Sequence, residues 1–200
     1  MDYFDLCIEK PSEDVVSKAE QLGWQNPSNY RTVILQSDDW GKLKRKIRQE
    51  REENHVVVVK GGKEEINRKS VSDPRVDILL HPGKGRKDSG LDKGIVETAA
   101  EENVALGLDF SRTQTHTKEK VHLFTEWRKN LRYSKKYGMK YSITTKADEK
   151  TDLRAPRDLQ ALIDSLGFSG KEAFNTSQKI IRKNTEKLDA ELEKGGVNEA

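Results

Sequence analysis

Apolar residues return along the chain in short unbroken runs separated by stretches of helical spacing. Val33, Ile34 and Leu35 fall in a row within Arg31 to Gln36, and His55 to Lys60 holds four consecutive valines. Val76, Ile78, Leu79 and Leu80 follow in Arg75 to His81, and similar runs occupy Val104 to Phe110 and Lys140 to Thr145. Runs of this length, bounded by glycine, proline or charge, predict strands buried on both faces, as in parallel sheets. Tyr3 to Glu9 reads the same way and makes a sixth strand, and a seventh falls near Phe168.

Between the runs the apolar positions recur every three or four residues. Val15, Val16, Ala19 and Leu22 predict a helix opened by Pro11 and Ser12, and Trp40, Leu43 and Ile47 a second over Asp39 to Asn54. Lys63 to Val71 is a short helix or turn. Leu91, Ile95 and Ala99 mark the next helix, and Val121, Phe124, Trp127 and Leu131 stripe a long one from about Lys118 to Tyr137. Pro156 suits the first turn of a helix carrying Leu159, Leu162, Ile163 and Leu166, closed by Gly167. A last helix, from about Lys171 to Leu192, bears Phe174, Ile181, Leu188 and Leu192.

Strands alternating with helices imply parallel pairing through crossovers. The fold expected is a TIM-like α/β barrel of six or seven strands, possible in an incomplete form, with a C-terminal helix; a doubly wound sheet is the alternative. One domain over residues 1–193 and a flexible tail over 194–200 follow from the same pattern.

Composition narrows the function. Charged residues reach 36% against 33% hydrophobic, so a small continuous core lies under a densely ionic surface. Lys and Arg number 37 against 34 Asp and Glu, a net charge of only +3, so binding to nucleic acid has to rest on clustering. Cys7 is the single cysteine and lies in an apolar run, which excludes an internal disulfide and a thiolate metal cluster. The acidic start lacks the basic region of a secretory signal, and no stretch nears the roughly 20 apolar residues of a spanning helix. A soluble, cytoplasmic protein without a membrane partner is expected.

In parallel α/β folds the working face is formed by the loops after the strands. The richest is His81-Pro82-Gly83-Lys84-Gly85-Arg86-Lys87-Asp88-Ser89-Gly90. Its glycines allow backbone amides to approach phosphate oxygens, Arg86 can offer a planar donor fork, and Lys84 and Lys87 add point charge. A solvated turn capped by Asp88 or Ser89 is an equal reading of the same residues. Arg112, Lys146, Arg154 and Arg157 also fall just after strands or just before helices, and so belong to the same strand-end face. Lys42, Lys44, Arg45, Lys46, Arg48 and Arg51 crowd one helix, where solvated ion pairs are the simpler reading. A second basic helix interleaves Arg128, Lys129, Arg132, Lys135 and Lys136 with Trp127, Tyr133 and Tyr137; Trp127 belongs to the core, and Tyr133 can reach solvent or RNA.

Catalytic chemistry is thin. The histidines form no His-x-His pair and no His-Glu-x-x-His helix, and there is no G-x-S-x-G elbow, P-loop or G-x-G-x-x-G fingerprint. His81 and Asp109, at strand ends, are expected to bond within the barrel mouth. No catalytic residue, metal ligand or protein-bound cofactor is expected in the isolated chain. The competing class is a metal-dependent phosphoesterase of barrel fold, which would need further ligands converging there.

The run Val76-Asp77-Ile78-Leu79-Leu80-His81-Pro82, then Arg86-Lys87-Asp88-Ser89-Gly90-Leu91-Asp92, resembles ribonuclease P protein component 3 of archaea, the homologue of the eukaryotic thirty-kilodalton subunit. The likeness continues through Asn103 to Ser111, Ser142-Ile143-Thr144-Thr145, Arg154-Ala155-Pro156-Arg157-Asp158-Leu159 and Ile180-Ile181-Arg182-Lys183-Asn184. It implies a TIM-like barrel that assists a catalytic RNA, with its Mg ions, in removing the 5′ leader of precursor tRNA. It also implies a small α/β protein partner, two copies of each forming a heterotetramer, with precursor tRNA met through the holoenzyme. Arg182 and Lys183 join the RNA-contact candidates through this likeness. Many relatives carry a proline shortly before the segment matching Ile180 to Asn184, where this chain has Ser177 and Gln178.

Overall fold

The computed structural model describes residues 2–196, with side chains as far as residue 188. Five strands alternate with helices: β1 (Thr32–Leu35), β2 (Val56–Lys60), β3 (Ile78–Leu80), β4 (Ala105–Asp109) and β5 (Tyr141–Thr144). The helices are α1 (Glu13–Gln21), α2 (Trp40–Arg51), α3 (Glu64–Val71), α4 (Lys93–Glu101), α5 (Thr117–Tyr137), α6 (Pro156–Ser165) and α7 (Gly170–Gly196). Each strand pairs in parallel with the next in chain order, from β1 to β5. A parallel sheet in sequence order, with α2 to α5 neighbouring one another in turn, is the wall of an incomplete TIM-like barrel.

The valine run shows why these strands read as continuous hydrophobic stretches. Val57 and Val59 pack with the surrounding helices, while Val56 and Val58 point inward to Ile78, Leu80, Leu6 and Cys7. Gly107 belongs to this interior: a Cβ there would lie 2.4 Å from Leu80 Cδ2 and 2.7 Å from Ile78 Cγ2, so glycine lets those side chains fill the barrel. Cys7 is buried, and burial pushes its thiol well above the usual range, leaving an unreactive core group.

Among the described residues the expected opening strand does not form, and five strands stand in place of the expected six or seven. Residues 3–9 are buried at Leu6, Cys7 and Ile8 but make no ladder. Carboxylates bond the sheet edges instead. The Asp5 side chain accepts from Thr145 N at 2.8 Å, just past β5, and from both Thr144 and Thr145 hydroxyls. Glu9 Oε1 accepts from Ile34 N of β1 at 2.8 Å. These two edge donors thus find an oxygen without an extended partner strand. Near Phe168 the chain turns from α6 into α7, which leaves no room for a seventh strand.

Helix α7 runs unbroken through Ser177 and Gln178, and the Ser177 hydroxyl lies 2.8 Å from that of Ser142 in β5. It buries Phe174, Ile180 and Ile181, leaves Leu188 half-buried, and ends four residues beyond Leu192, whose side chain lies outside the described residues. Among the described residues no helix is long and apolar enough to cross a membrane.

Candidate nucleic-acid interface

The loop between β3 and α4 is held closed by two buried asparagines. Asn67 of α3 donates through Nδ2 to Pro82 O and Gly90 O, both at 2.9 Å, and its Oδ1 accepts from Gly62 N at 3.0 Å. Asn130 of α5 donates to Ser89 O at 2.9 Å. These bonds tie the two ends of the loop together, and Gly90, at φ 77°, passes against Pro82 where a side chain would not fit.

Within the ring the Arg86 fork is already occupied. Its Nε and Nη2 donate to the two Asp88 oxygens at 2.7 and 2.8 Å, and the Arg86 bond holds the Asp88 carboxyl down at about 2. Gly90 N donates to the same Asp88 at 2.8 Å. Arg86 therefore shapes the loop, while Lys84 and Lys87 stand exposed and pair with no carboxylate among the described residues.

The neighbouring loops meet this one. Arg112 approaches Glu126 at 3.5 Å, and the Glu126 carboxylate rests against Gly83. Burial raises the Glu126 carboxyl, with Arg112 pulling the other way. His81 Nε2 donates to Asp109 Oδ2 at 2.8 Å, and Asp109 Oδ1 accepts from the Ser111 amide and hydroxyl. His81 at φ 52° and Lys146 at φ 49° are left-handed residues after β3 and β5, a conformation that non-glycine residues adopt at a cost. The Arg154 guanidinium lies 5.6 Å from the centre of the Phe110 ring, and Arg157 is exposed at the start of α6. Loop 81–90, Arg112, Lys146, Arg154 and Arg157 thus gather at the C-terminal end of the strands.

Arg182 and Lys183 do not join them. Their neighbour Asn184 donates to His55 O and Asp77 Oδ1, just before β2 and β3, which puts this part of α7 at the opposite end. Among the described residues no three His, Cys, Asp or Glu side chains converge in the way a metal site requires.

Sequence reasoning missed Asn67, Asn130 and Glu126, which position the loop. A signal existed for one of them: Asn130 sits beside Leu131 on the buried stripe of α5, where an unpaired amide would be costly.

Acid should weaken this face through Asp109. Burial raises its carboxyl, but the His81 and Ser111 bonds outweigh that and hold it below its ordinary 3.8. A depressed acid contributes stability that is present above pH 3.8 and lost as pH falls below it. Asp109→Asn is expected to be less stable than the parent at pH 6 in urea titrations, with the gap closing below pH 3.8; a gap independent of pH would refute it. Asp5 works in the opposite direction, since burial raises its carboxyl, and the paired comparison cancels it.

The family model "RNase P subunit p30" matches residues 8–188. The chain is 35% identical to ribonuclease P protein component 3 of Methanococcoides burtonii, covering 90% of this chain and 88% of that one. It is 33% identical to its counterpart in Methanosarcina acetivorans, covering 78% of this chain and 66% of that one. A chain of the cryo-EM structure of archaeal Ribonuclease P with mature tRNA superposes with a TM-score of 0.74 at 28% identity, covering 90% of this chain and 80% of that one. The barrel wall, the strand-end loops and the match over residues 8–188 together make this chain, which is similar to archaeal protein components 3 of ribonuclease P, a member of the RNase P subunit p30 family.

Proposed function

We propose that this chain contacts phosphates of the ribonuclease P RNA with its strand-end face and leaves the hydrolysis of precursor tRNA to that RNA. As a p30 family member it is a protein subunit of ribonuclease P, the enzyme that matures tRNA 5′ ends. The observation that carries the reading is the closed loop 81–90, which displays Lys84 and Lys87 on a backbone fixed before any ligand arrives. Arg112, Lys146, Arg154 and Arg157 widen the surface, and Arg86 maintains its shape. A small α/β subunit completes a heterotetramer with two copies of each protein, the Mg ions belong to the catalytic RNA, precursor tRNA is met in the assembled particle, and the setting is the cytoplasm.

Binding to transcribed ribonuclease P RNA over a salt series tests this. Log affinity is expected to fall linearly with log salt, by roughly 0.7 to 0.9 per phosphate contact. Lys84→Gln with Lys87→Gln is expected to lower affinity about tenfold and reduce the slope by that of two contacts. A flat salt profile, or leader removal by the protein without RNA, would overturn the proposal.

A further inference from the structure

A hollow of about 1030 Å³ opens at the end of the barrel away from loop 81–90, between the end of α5, the start of β5 and α7. Met139, Tyr141 and Ile180, all buried, and half-buried Phe168 give it an apolar floor. The buried Ser134 hydroxyl, without a hydrogen-bond partner, also lines it. Lys135, Lys140, Lys179 and Lys183 stand exposed around it, and none pairs with a carboxylate among the described residues. Some exposed cations elsewhere are paired, Arg68 with Glu64, Lys69 with Glu65 and Lys93 with Glu97, whereas these four leave their charge open to a partner, as Lys84 and Lys87 do at the other end.

We propose that this hollow docks a segment of another protein subunit, an apolar side chain flanked by carboxylates. The inference rests on the chain working within the ribonuclease P particle. Two features favour protein over RNA. A sugar-phosphate track offers little apolar surface to bury on Met139 and Ile180, whereas an apolar anchor in a pocket is how protein interfaces gain most of their energy. The hollow also mixes charge: the Asp164 side chain accepts from Gly170 N at 2.8 Å and that of Glu172 from the Tyr141 hydroxyl at 3.0 Å. Carboxylates interrupt a phosphate track but leave separate lysines to receive individual acidic side chains. Since the hollow and the strand-end loops lie at opposite ends, protein and RNA can be held together.

The test uses the full chain with p-benzoylphenylalanine in place of Phe168, assembled into the holoenzyme, checked for incorporation by co-sedimentation, and irradiated. Mass spectrometry is expected to find a crosslink to an acidic stretch of a different protein subunit. Lys135→Glu with Lys179→Glu is expected to cut that yield at least tenfold, while the isolated chain binds the catalytic RNA with unchanged affinity and salt slope. A crosslink to RNA or to a second copy of this chain, or none in the assembled particle, overturns the proposal. A loss of RNA affinity in the double variant does the same. Failure of loop 81–90 to bind RNA would appear in the salt series and leave this crosslink unaffected.

Discussion

Asp77→Ala is expected to destabilise the protein by about 3–5 kcal/mol, the usual cost of leaving one member of a buried ion pair without its partner. Asp77 lies just before β3, with Oδ2 2.6 Å from Arg51 Nη1 and 2.8 Å from Val57 N, and Oδ1 2.8 Å from Asn184 Nδ2. Arg51 also donates to Asn54 O and His55 O, so its guanidinium cannot swing into water without breaking those bonds as well. With side-chain exposures of 12% for Arg51 and 8% for Asp77, both charges are shielded from solvent. Removing the carboxylate therefore strands a cation, a strand amide and the amide that anchors α7. Asp77→Asn, which keeps the shape, is expected to cost less. Arg51→Met combined with Asp77→Leu is expected to recover much of the loss, because no charge is then left buried. Urea unfolding of the four proteins decides it, and a loss below 1 kcal/mol for Asp77→Ala would sink the argument.

That network explains a pattern the sequence displays without interpreting. Arg51 reads as one more cation on a basic helix, Asp77 as a polar break ahead of an apolar run, and Asn184 as the end of a family motif. Only the parallel order of β2 and β3 brings the end of α2, the start of β3 and α7 to one point. The alternation of strands and helices was legible because burial on both faces demands unbroken apolar runs, as in Val56 to Val59. Residues 3–9 carry the same apolar signal yet form no ladder, since Asp5 and Glu9 meet the edge amides through side chains. Periodicity reports burial, and it cannot distinguish a backbone bond from a carboxylate bond to the same donor. The candidate site was legible to the same extent. The cations of loop 81–90 could be read, whereas the engagement of Arg86 by Asp88 depends on the turn that Asn67 holds from a distant helix.

Gly90→Ala separates the shape of that loop from its charge. At φ 77° glycine is the residue this backbone favours, and an added Cβ would fall 1.9 Å from Pro82 O and 2.1 Å from Pro82 C, a clash with backbone that no rotamer relieves. The ring must open, and with it go the Asn67 bonds to Pro82 O and Gly90 O and the Asp88 bond to Gly90 N. A strained left-handed residue and two or three broken bonds together amount to about 2–4 kcal/mol of stability. RNA affinity is expected to fall about tenfold although no charge has been removed, because Lys84 and Lys87 must then be ordered at the moment of binding. Lys84→Gln with Lys87→Gln gives the complementary result, weaker binding with stability unchanged, since both lysines are exposed. Melting curves and RNA titrations, run well below the melting point so that unfolded protein makes no contribution, distinguish the two. If Gly90→Ala binds the RNA with parental affinity and a full salt slope, the fixed geometry of the loop is irrelevant to recognition, and charge density alone accounts for this surface.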